Sequence, residues 1–272
     1  IAMSGGVDSS VAAYLCCKAG FDCIGVTMKL FTNDALSLPR EHSCCSLDDV
    51  EDARSVAEQL GMPYHVFNFA DRFESCVINR FVHAYENGET PNPCIDCNRY
   101  LKFEKLYQRA QELGCTHVVT GHYARIERAE NGRFLLKKGL DPTKDQSYVL
   151  YCLTQQQLAH TLLPLGGMEK TAVRALADEN GFCNGQKPDS QDICFVQNGD
   201  YADFIESYTK KHYPPGPFVR RDGTVVGEHR GIIRYTVGQR KGLGLALPKP
   251  LYVLSVRPQD NTVVLGEEHE LY

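Results

Sequence analysis

Seven residues near the start of the chain, Ser4-Gly5-Gly6-Val7-Asp8-Ser9-Ser10, carry the chemistry of a phosphate-binding turn. Adjacent glycines let a backbone turn sharply and approach a ligand closely, and the first N–H groups and dipole of a helix favour phosphate. The hydroxyls of Ser4, Ser9 and Ser10 add donors, and Asp8 offers a carboxylate to Mg²⁺. The string lacks the GxxxxGK(S/T) spacing of kinase-type loops. A second set is sulfur. Cys94-x-x-Cys97 is a chelating or a redox pair. The simpler reading of each cysteine is a small buried hydrophobe.

These residues need elements to hold them. Ile1–Met3 reads as a strand end, and a helix from Asp8 buries Val7, Val11, Ala12 and Leu15 before Gly20. Residues 23–30 form a strand-like apolar run. Ser46 or Asp48 caps a helix with Val50, Ala53, Ala57 and Leu60 on one face, and residues 64–69 are a short strand. Phe73, Val77, Phe81 and Tyr85 recur at fours on one helix face, and Leu106, Ala110 and Leu113 repeat the spacing. The strand Thr116–Thr120 ends in Gly121-His122. This alternation predicts an α/β fold, a parallel twisted sheet with helices on both faces, followed by a helical segment and a small β domain. Ligands in such sheets bind beyond the carboxyl ends of the strands. Ser4–Ser10, Met28-Lys29 and Thr120–Tyr123 all fall there.

The grammar changes after Arg125. Asn131-Gly132 marks a hairpin, helices are expected over 155–163, 170–180 and 201–208, and Pro214-Pro215-Gly216-Pro217 reads as a linker. Beyond it come short strands, with residues 251–256 pairing with 262–265 and a loop over Gly238–Gly244. The expected domains are 1–195, with a helical insert, a connecting helix and linker at 196–214, and a β domain at 215–272.

The chain has 272 residues, enough for about two domains with sizeable cores. Net charge is −5, but residues 210–249 hold nine Lys/Arg against two Asp/Glu, while the remainder holds 20 against 32. Such asymmetry marks either a surface for a polyanion or a solvated face. The longest apolar run, residues 11–17, is far short of the ~20 residues of a membrane span, and no secretory leader opens the chain. Ile1 lies inside a strand, so the native N-terminus is expected to precede it. The twelve cysteines are therefore expected to sit in a cytoplasmic protein and not in a disulfide framework; Cys16, Cys76 and Cys152 fall in apolar patterns, and Cys44-Cys45 lie in a loop.

The SGGVDSS string resembles the PP-loop of the ATP pyrophosphatase superfamily, which cleaves ATP between the α and β phosphates and adenylates a substrate. Five further segments occur in order: Thr90-Pro91-Asn92-Pro93-Cys94-Ile95-Asp96-Cys97-Asn98, Thr120-Gly121-His122-Tyr123, Lys144-Asp145-Gln146-Ser147-Tyr148, Ser190-Gln191-Asp192-Ile193-Cys194-Phe195 and Thr236-Val237-Gly238-Gln239-Arg240-Lys241-Gly242. Together they resemble the tRNA-specific 2-thiouridylase family over nearly the whole chain.

That resemblance implies replacement of the C2 oxygen of the wobble uridine of tRNA by sulfur, driven by ATP and Mg²⁺. It places Ala2, Met3, Ser4, Gly5, Gly6, Val7, Asp8, Ser9, Met28 and Gly121 around ATP. Asn92, Pro93 and Cys94 would meet the flipped base, and His122, Lys144, Asp145 and Gln146 would contact tRNA. Cys97 would be the nucleophile and Cys194 the persulfide carrier, loaded by a sulfur-donor protein such as a cysteine desulfurase or a sulfur relay protein. Cys94 stands where some members have Asp, which leaves open the alternative of a [4Fe–4S] cluster on Cys94, Cys97 and Cys194. The basic residues of 210–249 would track the backbone of the tRNA, whose anticodon loop enters the site. The family continues into a C-terminal β-barrel, expected to be largely absent by Tyr272.

Overall fold

The computed structural model describes residues 1–31, 47–189, 193–196, 200–246 and 249–271. The expectations for Cys44-Cys45, the Ser46 cap and Ser190-Gln191-Asp192 lie outside the described residues. Contacts divide the chain into two units, one of residues 1–76 with 94–195 and one of residues 77–93 with 196–272.

In the first unit, Gly25–Lys29 (β1) pairs in parallel with Tyr64–Asn68 (β2). Ile1–Met3 joins the other side of β1, because Val26 N donates to Ile1 O and Met3 N donates to Val26 O, both at 2.8 Å. Ala2 N then donates to Val119 O at 2.9 Å. Val118–Val119 (β3) in turn pairs in parallel with Thr161–Leu162 (β6). Backbone hydrogen bonds therefore run unbroken across five short segments, with the loop 4–10 leaving from the central one. A hairpin, Ala124–Arg128 (β4) with Phe134–Lys138 (β5), turns at the expected Asn131-Gly132.

Helices Val7–Lys18, Leu47–Gln59 and Lys170–Glu179 supply a shared core of Val11, Ala12, Ala53, Val56, Ala57, Val173 and Ala177. Small residues recur there, so the helices approach closely. Leu47–Gln59 begins before Asp48, which therefore sits in its first turn rather than capping it. The helix expected over 155–163 stops at Ala159 because Thr161 and Leu162 become β6.

The second unit holds a four-stranded sheet of order β8-β7-β10-β9, with β7 at Gly216–Arg220, β8 at Val225–His229, β9 at Tyr252–Arg257 and β10 at Thr262–Gly266. Phe218, Ile233, Val253, Val263 and Leu265 fill its core. The expected linker Pro214–Pro217 is thus half strand. Pro217 pairs only towards β8, and pairing with β10 starts at Phe218, so the missing proline N–H removes no central hydrogen bond.

The four-residue spacing of 73–85 is served by two cores rather than one. Phe73 meets Phe31 and Phe195 within the first unit. In the second, Phe81 meets Phe204 edge-on, and Tyr85 stacks on Tyr201 at 4.5 Å.

Candidate active site

Gly5 has φ +74°, and a Cβ there would lie 2.4 Å from the carbonyl oxygen of Asp49, so only glycine fits between the loop and the Leu47–Gln59 helix. Gly6 is extended and leads directly into the Val7–Lys18 helix. Ser4 N donates to Ser9 Oγ at 3.2 Å, while Ser9 Oγ and Ser10 Oγ both donate to Gly6 O. The expected serine donors therefore brace the turn, and Ser4 is the exposed one. Buried Asn184 donates through Nδ2 to Gly5 O at 3.0 Å and to Ser10 Oγ at 2.8 Å. Its Oδ1 and that of buried Asn98 have no hydrogen-bond partner among the described residues, a cost carried at the loop and beside Cys97.

Two ion clusters clamp this loop. Lys170, almost fully buried, places Nζ 2.7 Å from Asp8 Oδ1 and 2.8 Å from Asp189 Oδ1. Tyr123 OH also donates to Asp8 Oδ1 at 2.8 Å. Burial, then the Asp8 carboxylate, push the Tyr123 phenol upward, so it stays a donor. On the other side Lys187 bridges Asp49 at 2.6 Å and Asp52 at 2.8 Å. Burial of Lys187 works against its charge, but those two carboxylates raise its pKa on balance.

Asp189 collects Lys144 at 2.7 Å and Arg174 at 2.8 Å besides Lys170. Burial alone would raise its pKa, but Lys144 and Lys170 outweigh burial and hold it at about 2. A depressed carboxylate contributes stability that is complete above its unfolded value, near 4, and lost as pH falls towards 2. The contribution is about 2 kcal/mol. Melting temperature is expected to fall more steeply between pH 4 and pH 2.5 in the unaltered chain than in Asp189→Asn; equal slopes would refute the assignment.

Gly121 closes the cradle: a Cβ there would lie 2.8 Å from Asp8 C and 2.9 Å from Ser9 N. Gly121→Ala is expected to displace the loop and weaken ATP binding about tenfold or more, a change of roughly 1.4 kcal/mol readable by titration calorimetry. His122 is buried, with Nδ1 2.7 Å from Thr120 Oγ1, and burial, helped by Lys102, lowers its pKa well below the ordinary range, so it is neutral.

Asp145 accepts from Gly139 N, Ser147 N and Ser147 Oγ, and Gln146 Oε1 accepts from Tyr123 N at 3.0 Å. These side chains shape the 144–147 turn, and Lys144 points to Asp189. Ala2 and Met3 sit in the sheet, Met28 near the end of β1, and Val7 in the core.

Asn92 and Pro93 belong to the second unit. Pro93–Asp96 is a helical turn carrying exposed Cys94; buried Cys97 opens a run of wide turns over Cys97–Lys105. That run packs on the Ala70–Phe73 helix, with Arg72 Nη2 3.1 Å from Glu104 Oε1. Half-buried Cys194 precedes Phe195, whose ring meets Phe73 edge-on at 5.6 Å. The supports of Cys97 and Cys194 therefore converge on one short helix. Cys16 is buried, whereas Cys76 and Cys152 are half-buried. Among the described residues no three Cys, His, Asp or Glu side chains are gathered closely enough to hold a metal ion, so Cys94, Cys97 and Cys194 do not form a three-thiolate set as placed.

In the basic segment, Arg234 pairs with Asp200, Asp203 and Glu206, Lys211 with Glu86 and Lys249 with Glu267. Arg230, Arg240 and Lys241 are exposed and make no ion pair among the described residues. Lys170, Asn184 and Asp189 were not anticipated, and Tyr123 was expected at the strand end but not its bond to Asp8; Lys170 showed in the sequence only as the first residue of a helix.

A parallel α/β sheet with a glycine-serine turn cradled at the end of its central segment defines a PP-loop nucleotide-binding protein. A family model for the tRNA methyl transferase HUP domain matches residues 1–198, and one for the tRNA methyl transferase PRC-barrel domain matches residues 202–267. Over its whole length the chain is 52% identical to the tRNA-specific 2-thiouridylase MnmA of Clostridioides difficile, covering 75% of that protein. It is 53% identical to the protein of the same name from Acetivibrio thermocellus, covering 76% of it. Among solved structures, NMN synthetase from Francisella tularensis matches 78% of this chain and 77% of its own at 17% identity and a TM-score of 0.43. The chain belongs to the tRNA-specific 2-thiouridylase family.

Proposed function

We propose that this protein is an ATP-dependent tRNA-uridine 2-sulfurtransferase that makes 2-thiouridine at the wobble position. The observation that carries this reading is the clamped loop Ser4–Ser10 in the same unit as Cys97 and Cys194, whose supports meet on the Ala70–Phe73 helix. A uracil carbonyl is a poor electrophile because hydroxide is a poor leaving group. Attack of O2 on the α-phosphorus of ATP forms an O-adenylate and expels pyrophosphate. The loop N–H groups and the Val7–Lys18 helix N-terminus bind the phosphates. Mg²⁺, with Asp8 as its ligand on the protein, would neutralise phosphate charge.

Sulfur arrives on Cys194 as a persulfide from a donor protein. The Cys97 thiolate attacks Cys194 Sγ and breaks its bond to the outer persulfide sulfur, forming a Cys97–Cys194 disulfide and releasing that outer sulfur as hydrosulfide. Hydrosulfide adds to C2 and AMP departs with the former oxygen. A thiol reductant then supplies two electrons to reset the disulfide. A stacked wobble base cannot present C2 to this site, so it must be extruded, and Asn92, Pro93 and Cys94 are assigned to it. His122, Lys144, Asp145 and Gln146 border the tRNA. On this reading the protein works in the cytoplasm, where tRNA is modified.

The test is incubation with ATP, Mg²⁺, unmodified tRNA, a cysteine desulfurase with cysteine as persulfide donor and a thiol reductant, followed by nucleoside analysis. 2-Thiouridine with stoichiometric AMP is expected. ATP cleavage stimulated by a small amide or carboxylate, without tRNA, would overturn the reading.

A further inference from the structure

We propose that Tyr148 and Tyr151 form a stacking platform for the unpaired RNA bases that flank the reacting uridine. The inference rests on the function proposed above. The two rings are 62% and 67% exposed, while the residues between them, Val149 and Leu150, are buried. Alternation of that kind anchors a turn in the core and holds both phenols outward.

The turn is pinned on two sides. Asn98 Nδ2 donates to Val149 O at 3.0 Å, and Cys152 Sγ lies 3.8 Å from Ile95 O, so the turn is tied to the segment that bears Cys94 and Cys97. Gln146 N donates to Tyr123 O at 2.9 Å, which ties it to the strand end that follows Gly121. The tyrosines thus ride on a fixed support between the sulfur segment and the nucleotide cradle.

Their surroundings hold a cation suited to RNA: Arg99 follows Cys97 by two residues, with its guanidinium 5.8 Å from the Tyr100 ring centre, whereas Lys144 on the same stretch is paired with Asp189. Extruding a wobble base leaves its neighbours without one stacking partner. Aromatic faces replace that contact for any base, at a cost in side-chain entropy limited to two rotatable bonds. A protein partner would favour a continuous apolar patch.

The test uses the full chain with ATP and an anticodon stem-loop RNA carrying 2-aminopurine on the 3′ side of the wobble uridine. Tyr148→Ala and Tyr151→Ala are each expected to weaken RNA binding about tenfold and to relieve quenching of the 2-aminopurine. The phenylalanine variants, which keep the ring, are expected to bind within about threefold of the unaltered chain. Unchanged melting temperatures will show that the exposed substitutions leave the fold intact. Alanine variants that bind RNA as well as the unaltered chain would overturn the proposal, as would phenylalanine variants as weak as alanine. Intact RNA binding with slowed sulfur uptake from a donor protein would also overturn it, assigning the rings to that partner. Failure of the platform leaves 2-thiouridine formation by the unaltered chain in place, whereas a chain that binds no RNA overturns both readings.

Discussion

Cys97→Ser is expected to lower 2-thiouridine formation by at least roughly a thousandfold while tRNA-dependent release of pyrophosphate continues. The split follows from the order of bond making. Adenylation of O2 uses the loop Ser4–Ser10 and needs no thiol, whereas release of hydrosulfide needs a thiolate at Cys97. Cys194→Ser should match that loss, and the double variant should be no worse than either single one, because both act on one sulfur atom. Cys94→Ala discriminates between sulfur chemistries. Exposed Cys94 carries no transferred sulfur in the persulfide scheme and is assigned to the extruded base, so the variant should raise the KM for tRNA while kcat for thiolation falls far less than in Cys97→Ser. Loss of activity in Cys94→Ala equal to that in Cys97→Ser would favour a cluster on the three cysteines. Thiolation at the normal rate by both Cys97→Ser and Cys194→Ser would remove the roles assigned to them.

The second large effect is expected at Lys170. Its ammonium is the shared counter-charge of Asp8 and Asp189, and its backbone N–H also donates to Asp141 Oδ2 at 3.1 Å. Removing one partner of a buried pair costs about 3–5 kcal/mol. Here the carboxylates keep partial exposure, and Asp189 retains Lys144 and Arg174, which reduces the loss to about 2–3 kcal/mol. Lys170→Met is therefore expected to lower the melting temperature by roughly 5–10 °C. It should also weaken ATP binding about tenfold or more, since among the described residues Asp8 keeps only the Tyr123 hydroxyl to position its carboxylate. Differential scanning calorimetry and ATP titration read the two effects. A variant that melts and binds ATP like the unaltered chain would show that Lys170 is dispensable to the loop.

What was legible in the sequence was local. The Ser4–Ser10 turn was recognisable because its requirements, glycines between a strand and a helix, are met by neighbours in the chain. Gly121 and Asp8 were likewise readable as strand-end and helix-start residues. The clamp was not, since Tyr123, Lys170 and Asn184 reach the loop from 115 to 179 residues away, and no periodicity encodes such a pairing. The same blindness produced the local errors. Thr161 and Leu162 fit an apolar helix face as well as a strand, and only pairing with Val118–Val119 decides between them. Pro214–Pro217 carried the composition of a linker, but Gly216 and Pro217 enter a sheet at the point where one neighbour is still missing.

The excursion of residues 77–93 has a consequence for dissection of the chain. The first unit is discontinuous, interrupted at Cys76 and resumed at Cys94, immediately ahead of the sulfur-bearing segment. No single cut separates the two halves. A fragment ending near residue 198 would retain Phe81 and Tyr85 but lose Phe204 and Tyr201, leaving two large rings bare on a detour of the backbone. Excising that detour and rejoining Cys76 to Cys94 is the dissection that respects the topology, and the joint would fall at the threshold of Cys97.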